Sequence, residues 1–355
     1  MRVALACDWF LKYTAAQAAA LARAGAEVLL LCRDHPLEFG GDGEERLDTL
    51  RRARDAGVLV LEAPGRLGDP AAIPGLLLIR RQIGRFRPQI VHVHEHEDPR
   101  AIYLLPRAPA VMTVHDPVPH PGQPVPPRPN RWLLDGSRRA WLRRALAVVV
   151  HSDRLRDEIE LRSDQQCVVI PHGLNVSDEP LPPPSPPMVG FFGRLEPYKG
   201  LDVLARAMPR VWEARPEVQL TVAGTGSASL PLSDPRVHLE RGYLLEADVE
   251  AFFRRISLAL LPYTQASQTG AGSVAIGYGV PIVASRLGGL PDLVLDDTYL
   301  FEAGDDAALA AAIIRHIDDR ASVRARVLAD VAMPRSWDAV AEYSLDLYAE
   351  LLSNR

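Results

Sequence analysis

The stretch "SDEPLPPPSPP", residues 177–187, decides how this chain is divided. Proline at this density removes backbone donors and fixes the backbone, so the stretch forms neither a helix nor a central strand. We read it as a stiff, extended linker between two domains. Before it, the strand candidates "RVALAC", "EVLLLC", "VLVLEA", "IVHVHE", "AVMTVHD", "AVVVHS" and "CVVIPHG" alternate with amphipathic patterns over 14–24, 44–56, 73–86, 131–146 and 153–162. After it the alternation restarts with "MVGFFGR", "VQLTVAG", "VHLERG", "LALLPY", "PIVAS" and "YLFEAG", with helices predicted over 199–214, 246–255, 270–278 and 306–330. Near-continuous apolar strands separated by helices predict parallel sheets covered on both faces. The fold class is therefore α/β: two doubly wound, Rossmann-like domains over 1–176 and 188–335, followed by a helix over 336–355. That helix puts Trp337, Val340, Tyr343, Leu347 and Leu351 on one stripe. Ligands of open parallel sheets bind beyond the carboxyl ends of the strands, so a cleft between the domains is the expected site.

Composition narrows the class. A chain of 355 residues, 47% hydrophobic and with mixed charge, suits a globular enzyme. The net charge of −5 argues against a nucleic-acid binder. The first half is net basic and the second net acidic, a small asymmetry that favours an anionic partner for the first half. Cys7, Cys32 and Cys167 are scattered, which fits reduced core residues rather than a disulfide or metal framework. "MRVALACDWF" reads as a first strand rather than a signal peptide, and no apolar run reaches bilayer length, so a cytoplasmic protein is expected. Of 40 basic residues only Lys12 and Lys199 are lysines, and each invites the question of what arginine could not do there.

In "GFFGRLEPYKGLDVL", residues 190–204, Arg194 leaves the end of a buried strand and Lys199 opens the next helix. That layout holds two cations where phosphates could sit near helix N–H groups; the plain alternative is a turn with surface cations. "LTVAGTGSAS" imitates a dinucleotide loop, but it does not follow the first strand and "LPLSDP" after it cannot continue a helix. A nicotinamide enzyme is not expected. "VHVHEHED" places His92, His94 and His96 on one strand face. Metal binding competes there with the simpler reading that His92 and His94 fill the strand while His96 leaves its end. In "VMTVHDPVPHPG" a strand ends at His115 and Asp116. A neutral imidazole there could bond a sugar hydroxyl or move a proton, or it could simply cap the loop. His96, Asp116 and His120 are candidates for the acceptor side. "RWLLDGSRRAWLRRALA" reads either as a covering helix with solvated arginines or as a peripheral contact with an anionic membrane.

Taken in order, "VIPHGLN", "GFFGRLEPYKGLDVL", "LTVAGTGS" and "GVPIVASRLGGLPDLV" resemble the retaining glycosyltransferases of family four, with the GT-B fold. The resemblance runs through nearly the whole chain. It implies a nucleotide-diphosphate sugar as co-substrate, bound mainly by the C-terminal domain, and a small-molecule, glycan or lipid-linked acceptor held mainly by the N-terminal one. It implies that the last helix crosses back to the N-terminal domain, and that the anomeric configuration is retained without a metal or other cofactor. Arg194 and Lys199 match the pair that holds the donor pyrophosphate, His115 the histidine near the transferred sugar, and Gly242 with Tyr243 the nucleobase loop. A lipid-linked acceptor would place the enzyme at the inner face of the membrane.

Two departures stand out. Where the family commonly has a glycine pair after the first strand, this chain has Phe10, Leu11, Lys12 and Tyr13, and Lys12 becomes a candidate for the donor phosphates or for an anionic acceptor. In "LPYTQASQTGAGSVAIGYGVPIVAS", residues 261–285, the family's two glutamates fall on Ala266 and Val274, which accept no hydroxyl bonds. Gln268, Thr269, Gly270 and Ala271 remain as a polar helix start able to hold phosphate through free N–H groups. The reading is an active transferase with a rearranged donor pocket. Its alternatives are a non-catalytic GT-B partner or glycan-binding subunit, and a sugar-nucleotide epimerase.

Overall fold

The computed structural model describes residues 1–33, 36–39, 43–64, 69–95, 98–115, 131–157, 159–179, 182, 184–265, 269–318 and 321–354. The chain divides into two compact units: residues 1–173 with 337–355, and residues 174–336.

In the first unit the order is β1 (Arg2–Cys7), α1 (Leu11–Arg23), β2 (Glu27–Arg33), α2 (Gly43–Asp55), β3 (Leu59–Ala63), α3 (Ile73–Phe86), β4 (Ile90–His94), α4 (Arg100–Leu104), β5 (Ala110–Thr113), α5 (Arg131–Arg144), β6 (Ala147–Val150), α6 (Asp153–Asp157) and β7 (Gln166–Val169). The strands form one parallel sheet, β3-β2-β1-β4-β5-β6-β7. Alternate residues of β1 sort into two cores, as the period of two requires: Val3, Leu5 and Cys7 on one face, Ala4 and Ala6 on the other. The first core is closed by α1 and by the last helix of the chain, Trp337–Ser353, through Val340, Ala341, Leu347, Tyr348 and Leu351. Tyr343, predicted on that stripe, is exposed, and Ser344 takes the inward place. A side chain on Gly173 would meet the Trp337 ring at 2.3 Å, so glycine is what lets that helix seat where the chain leaves the unit.

The second unit runs β8 (Met188–Phe192), α7 (Leu201–Ala214), β9 (Gln219–Gly224), β10 (Val237–Arg241), α8 (Glu246–Arg254), β11 (Leu258–Leu261), α9 (Gly270–Gly277), β12 (Ile282–Ser285), β13 (Leu300–Phe301), α10 (Asp306–His316) and α11 (Ala321–Arg326); the last helix of the chain is α12. The sheet is parallel, β10-β9-β8-β11-β12-β13. Leu174 belongs to this unit, because its amide bonds the Arg335 carbonyl at 3.0 Å and it bridges Ser336. The helix predicted over 306–330 is two helices, α10 and α11, and then a π-helical turn over Val327–Ala332. Asp305 starts α10 by accepting the Ala308 amide at 2.8 Å. Among the described residues no helix is long and apolar enough to cross a membrane.

Candidate active site

In the second unit, the turn after β8 is held by glycines that have no room for a side chain. Gly224 has φ +145, and a Cβ there would lie 1.8 Å from the Gly193 carbonyl oxygen; at Gly226 it would lie 2.2 Å from that of Leu195. The glycines of "AGTGSAS" therefore nest the turn after β9 against residues 193–195, with the Leu195 amide bonding the Thr225 carbonyl at 2.6 Å. Their role is this close approach, which fixes the backbone from which Arg194 springs. Arg194 donates to the Tyr198 hydroxyl at 2.9 Å. Gly193 lies against the first turn of α9, where its added Cβ would stand 3.8 Å from that of Ala271.

Lys199 ends a 3₁₀ turn, Pro197–Lys199, and is buried, 8% exposed. Among the described residues no carboxylate pairs with it. Its Nζ sits over the Tyr263 ring, 3.6 Å from the centroid, and 5.1 Å from that of Tyr198. Burial, and then the Arg194 charge, lower its pKa to about 7. Gly200, at φ +70, seats this turn, because a Cβ there would stand 1.8 Å from the Pro262 carbonyl oxygen. Thr269 caps α9, accepting the Gly272 amide at 3.4 Å, with no acidic residue in the first turn. Gly242, φ +149, follows β10 and donates its amide to the Gly224 carbonyl at 3.1 Å, while the Tyr243 side chain is exposed. Arg194, Lys199, Thr269, Gly270 and Ala271 thus belong to one neighbourhood. Gln268 and Ala266 lie outside the described residues, and Val274 packs against the apolar core.

The first unit holds a row of buried histidines along the carboxyl edge of neighbouring strands. His92 is bonded on both sides, Nδ1 to the Tyr348 hydroxyl at 2.6 Å and Nε2 to Thr113 Oγ1 at 2.7 Å. Burial lowers the pKa of His92 to about 3, with the His151 charge adding to the effect. His94 Nε2 lies 2.8 Å from Gln17 Oε1, and its Nδ1 lies 3.2 Å from His115 Nε2. His115 Nδ1 lies 3.1 Å from His151 Nε2, and His151 Nδ1 donates to the Ile170 carbonyl at 2.9 Å. Both nitrogens of His115 are therefore engaged inside this unit, so the imidazole expected to face a sugar hydroxyl offers it no nitrogen while the bonds to His94 and His151 are made.

With an acceptor at each end, Gln17 Oε1 and the Ile170 carbonyl, three rings must supply four N–H groups, one more than three neutral rings carry. Burial, reinforced by the neighbouring histidines, pushes the His115 pKa well down, which disfavours the extra charge. A Gln17 amide turned end for end, donating to His94, lets all three rings be neutral.

Phe10 stands where a glycine pair is common, and it adopts the glycine-like backbone, φ 68, at the start of α1. Its ring stacks on His115 with centroids 3.9 Å apart, and Tyr13 meets His115 edge-on at 5.1 Å. The aromatic contact accompanies a conformation that costs roughly 1–2 kcal/mol for a side chain of this kind. The Lys12 ammonium pairs with Glu45 at 2.5 Å and lies 5.0 Å over the Phe39 ring. His96, Asp116 and His120 lie outside the described residues. Sequence reasoning missed Tyr13, Gln17, His151, His172, Tyr198, Tyr263 and Tyr348. A signal for two of them was present: "AVVVHS" and "CVVIPHG" each run from a strand into a histidine, as "VMTVHD" does.

The fold and these residues define a class. Residues 186–319 match the family described as "Glycosyl transferases group 1" and residues 12–178 match "Glycosyltransferase Family 4", so the chain belongs to the group 1, family 4 glycosyltransferases of GT-B fold. It is an enzyme of nucleotide-sugar transfer. Among curated relatives it is similar to the phosphatidyl-myo-inositol mannosyltransferase of Propionibacterium freudenreichii, 26% identical over 289 residues, covering 77% of this chain and 73% of that protein. Among solved structures it is similar to Anabaena HepE in complex with UDP, with a TM-score of 0.66, 16% identity, and coverage of 99% and 100% of the two chains. It is also similar to sucrose-phosphate synthase from Thermosynechococcus elongatus, TM-score 0.65 and 18% identity, covering both chains fully at 100%.

Proposed function

We propose that this chain transfers a sugar from a nucleoside-diphosphate donor to a hydroxyl acceptor with retention of anomeric configuration and without a metal ion. The observation that carries this is Lys199: a buried ammonium beside Arg194 and the start of α9, resting on an aromatic ring with no carboxylate partner among the described residues. Cations and free amides attract an anion and repel a second cation, so the neighbourhood suits a diphosphate and not a divalent metal. In the reaction, the bond from the sugar C1 to the diphosphate oxygen breaks and its electron pair leaves on that oxygen. Lys199, Arg194 and the amides of Gly270 and Ala271 meet the developing charge. The acceptor oxygen bonds C1 on the same face, and its proton passes to the departing phosphate.

Gly242 and Tyr243 are assigned to the nucleobase, and Thr269 with Gln268 to the phosphates. His115, its nitrogens held by His94 and His151, is assigned to shaping the wall beside the sugar rather than to donating a proton. The acceptor is a small molecule, a glycan or a lipid-linked molecule. The mannosyltransferase relative supports a lipid-linked polyol, which would bring the enzyme to the inner membrane face. UDP is the first donor base to test, because HepE binds it. Turnover of a donor panel with excess chelator, with the product anomer read by NMR, tests the reading; an inverted product or chelator-abolished turnover contradicts it. Val274, packed on the core where the family has an acid, favours one second reading, a GT-B protein that binds nucleotide without transfer. Binding without turnover of any donor would support that instead.

A further inference from the structure

We propose that Tyr263 is a positioning residue of the transfer reaction, whose ring face carries the Lys199 ammonium while its hydroxyl ties that ammonium to the first turn of α9. This rests on the reading of Lys199 and α9 as the diphosphate site. Tyr263 follows β11 and is buried, 1% exposed. Its ring centroid lies 3.6 Å from Lys199 Nζ, and its hydroxyl is 3.1 Å from Thr269 Oγ1, the cap of α9. The residue is itself fixed: its carbonyl accepts the Ser285 hydroxyl at 2.7 Å, and Phe191 packs edge-on at 6.5 Å. The neighbouring strand end is locked to the lysine turn, with the Thr264 amide donating to the Tyr198 carbonyl at 2.8 Å and Gly200 packed against Pro262.

The choice of an aromatic ring follows from electrostatics. A buried ammonium needs some stabilisation while the site is empty. A carboxylate would supply it, but would then neutralise the lysine and repel an incoming diphosphate. A ring face attracts the ammonium through its quadrupole, carries no net charge, and leaves the lysine's charge uncancelled for an incoming anion. Phenylalanine would serve as a shelf, but it could not reach Thr269. Burial raises the Tyr263 pKa, so the hydroxyl stays protonated and available for that bond. One side chain thus sets the spacing between a point charge and a set of helix amides, and geometry of that kind governs how well a developing charge is met.

The scarcity of lysine makes the test direct. Full-length protein grown with lysine labelled at Cε yields signals from two residues only, assigned with Lys12→Arg. The Lys199 methylene should show an upfield ring-current displacement that persists in Tyr263→Phe and is lost in Tyr263→Leu. UDP should perturb the Lys199 signal in the wild type. Its dissociation constant should rise about tenfold in Tyr263→Leu and only a few-fold in Tyr263→Phe. If UDP, GDP, ADP and TDP all leave the Lys199 signal unmoved, the diphosphate reading fails. If UDP binds but the Lys199 methylene shows no ring-current displacement, or Tyr263→Leu binds like wild type, the role of Tyr263 is overturned. Should Tyr263→Leu not fold, the wild-type displacement and the Tyr263→Phe affinity still decide: no displacement, or a tenfold loss in Tyr263→Phe, overturns the assignment.

Discussion

Replacing Lys199 by methionine should stabilise the empty protein while weakening its hold on a nucleoside diphosphate. Burial, with Arg194 second, lowers the Lys199 pKa from 10.5 to about 7. In the unfolded chain the same group titrates near 10.5, so between those values the unfolded state binds more protons and stability rises with pH. The cost of the lysine is therefore full below pH 7 and fades as the pH climbs toward 10.5. At roughly 1.4 kcal/mol per unit, the full cost is on the order of 3–5 kcal/mol. Methionine has similar length, carries no charge and can keep its contact with the Tyr263 ring. Equilibrium urea denaturation of wild type and Lys199→Met at pH 6 and pH 9 measures the difference. The variant should be more stable by several kcal/mol at pH 6, with the gain reduced by about 2–3 kcal/mol at pH 9. UDP should protect the wild type far more than the variant. A variant that is destabilised at pH 6, or a gain independent of pH, would refute the claim that this lysine is kept at a cost to stability.

The histidine row makes the first unit sensitive to mild acid. His92, and His172 whose ring meets that of His151 edge-on at 5.1 Å, have pKa values lowered to about 3 by burial, against 6.5 in the unfolded chain. Their contribution is present above pH 6.5 and falls away with acidification, at about 1.4 kcal/mol per pH unit each; His115 adds in the same direction. Denaturation midpoints measured from pH 7 to pH 5 should fall steeply, and a flat profile would contradict this. Gly200→Ala combines positive φ with a Cβ 1.8 Å from the Pro262 carbonyl oxygen, and should cost at least about 3 kcal/mol. Gly242→Ala, at φ +149 but with nothing within 4 Å, should cost clearly less in the same urea titration; equal losses would show that close approach is not what Gly200 provides. Phe10→Gly relieves the backbone conformation but uncovers His115, so the His115 ring should begin to titrate within the range NMR can follow, whereas the wild-type ring should not.

Sequence reasoning reached the two parallel sheets because their strands are nearly uninterrupted apolar runs, a pattern that local chemistry alone specifies. Helix ends were less legible. α4, five residues long, carries no periodic signal, and α6 covers only Asp153–Asp157 of the 153–162 pattern. Arg194, Lys199 and Thr269 could be placed at strand and helix ends because their own neighbours in sequence mark those ends. The partners of His115 could not, since His94, His151 and Gln17 come from three different elements and meet only after the sheet assembles. The partner of Lys12 was illegible for a related reason: its rarity singled it out, but Glu45, with which it pairs, lies thirty-three residues away in sequence.

A calorimetric titration of UDP, GDP, ADP and TDP into wild type, Arg194→Ala and Lys199→Met tests the central claim most directly. One base should be preferred, and each substitution should weaken its binding by tenfold or more. Silence toward all four, or equal affinity in the three proteins, would contradict it.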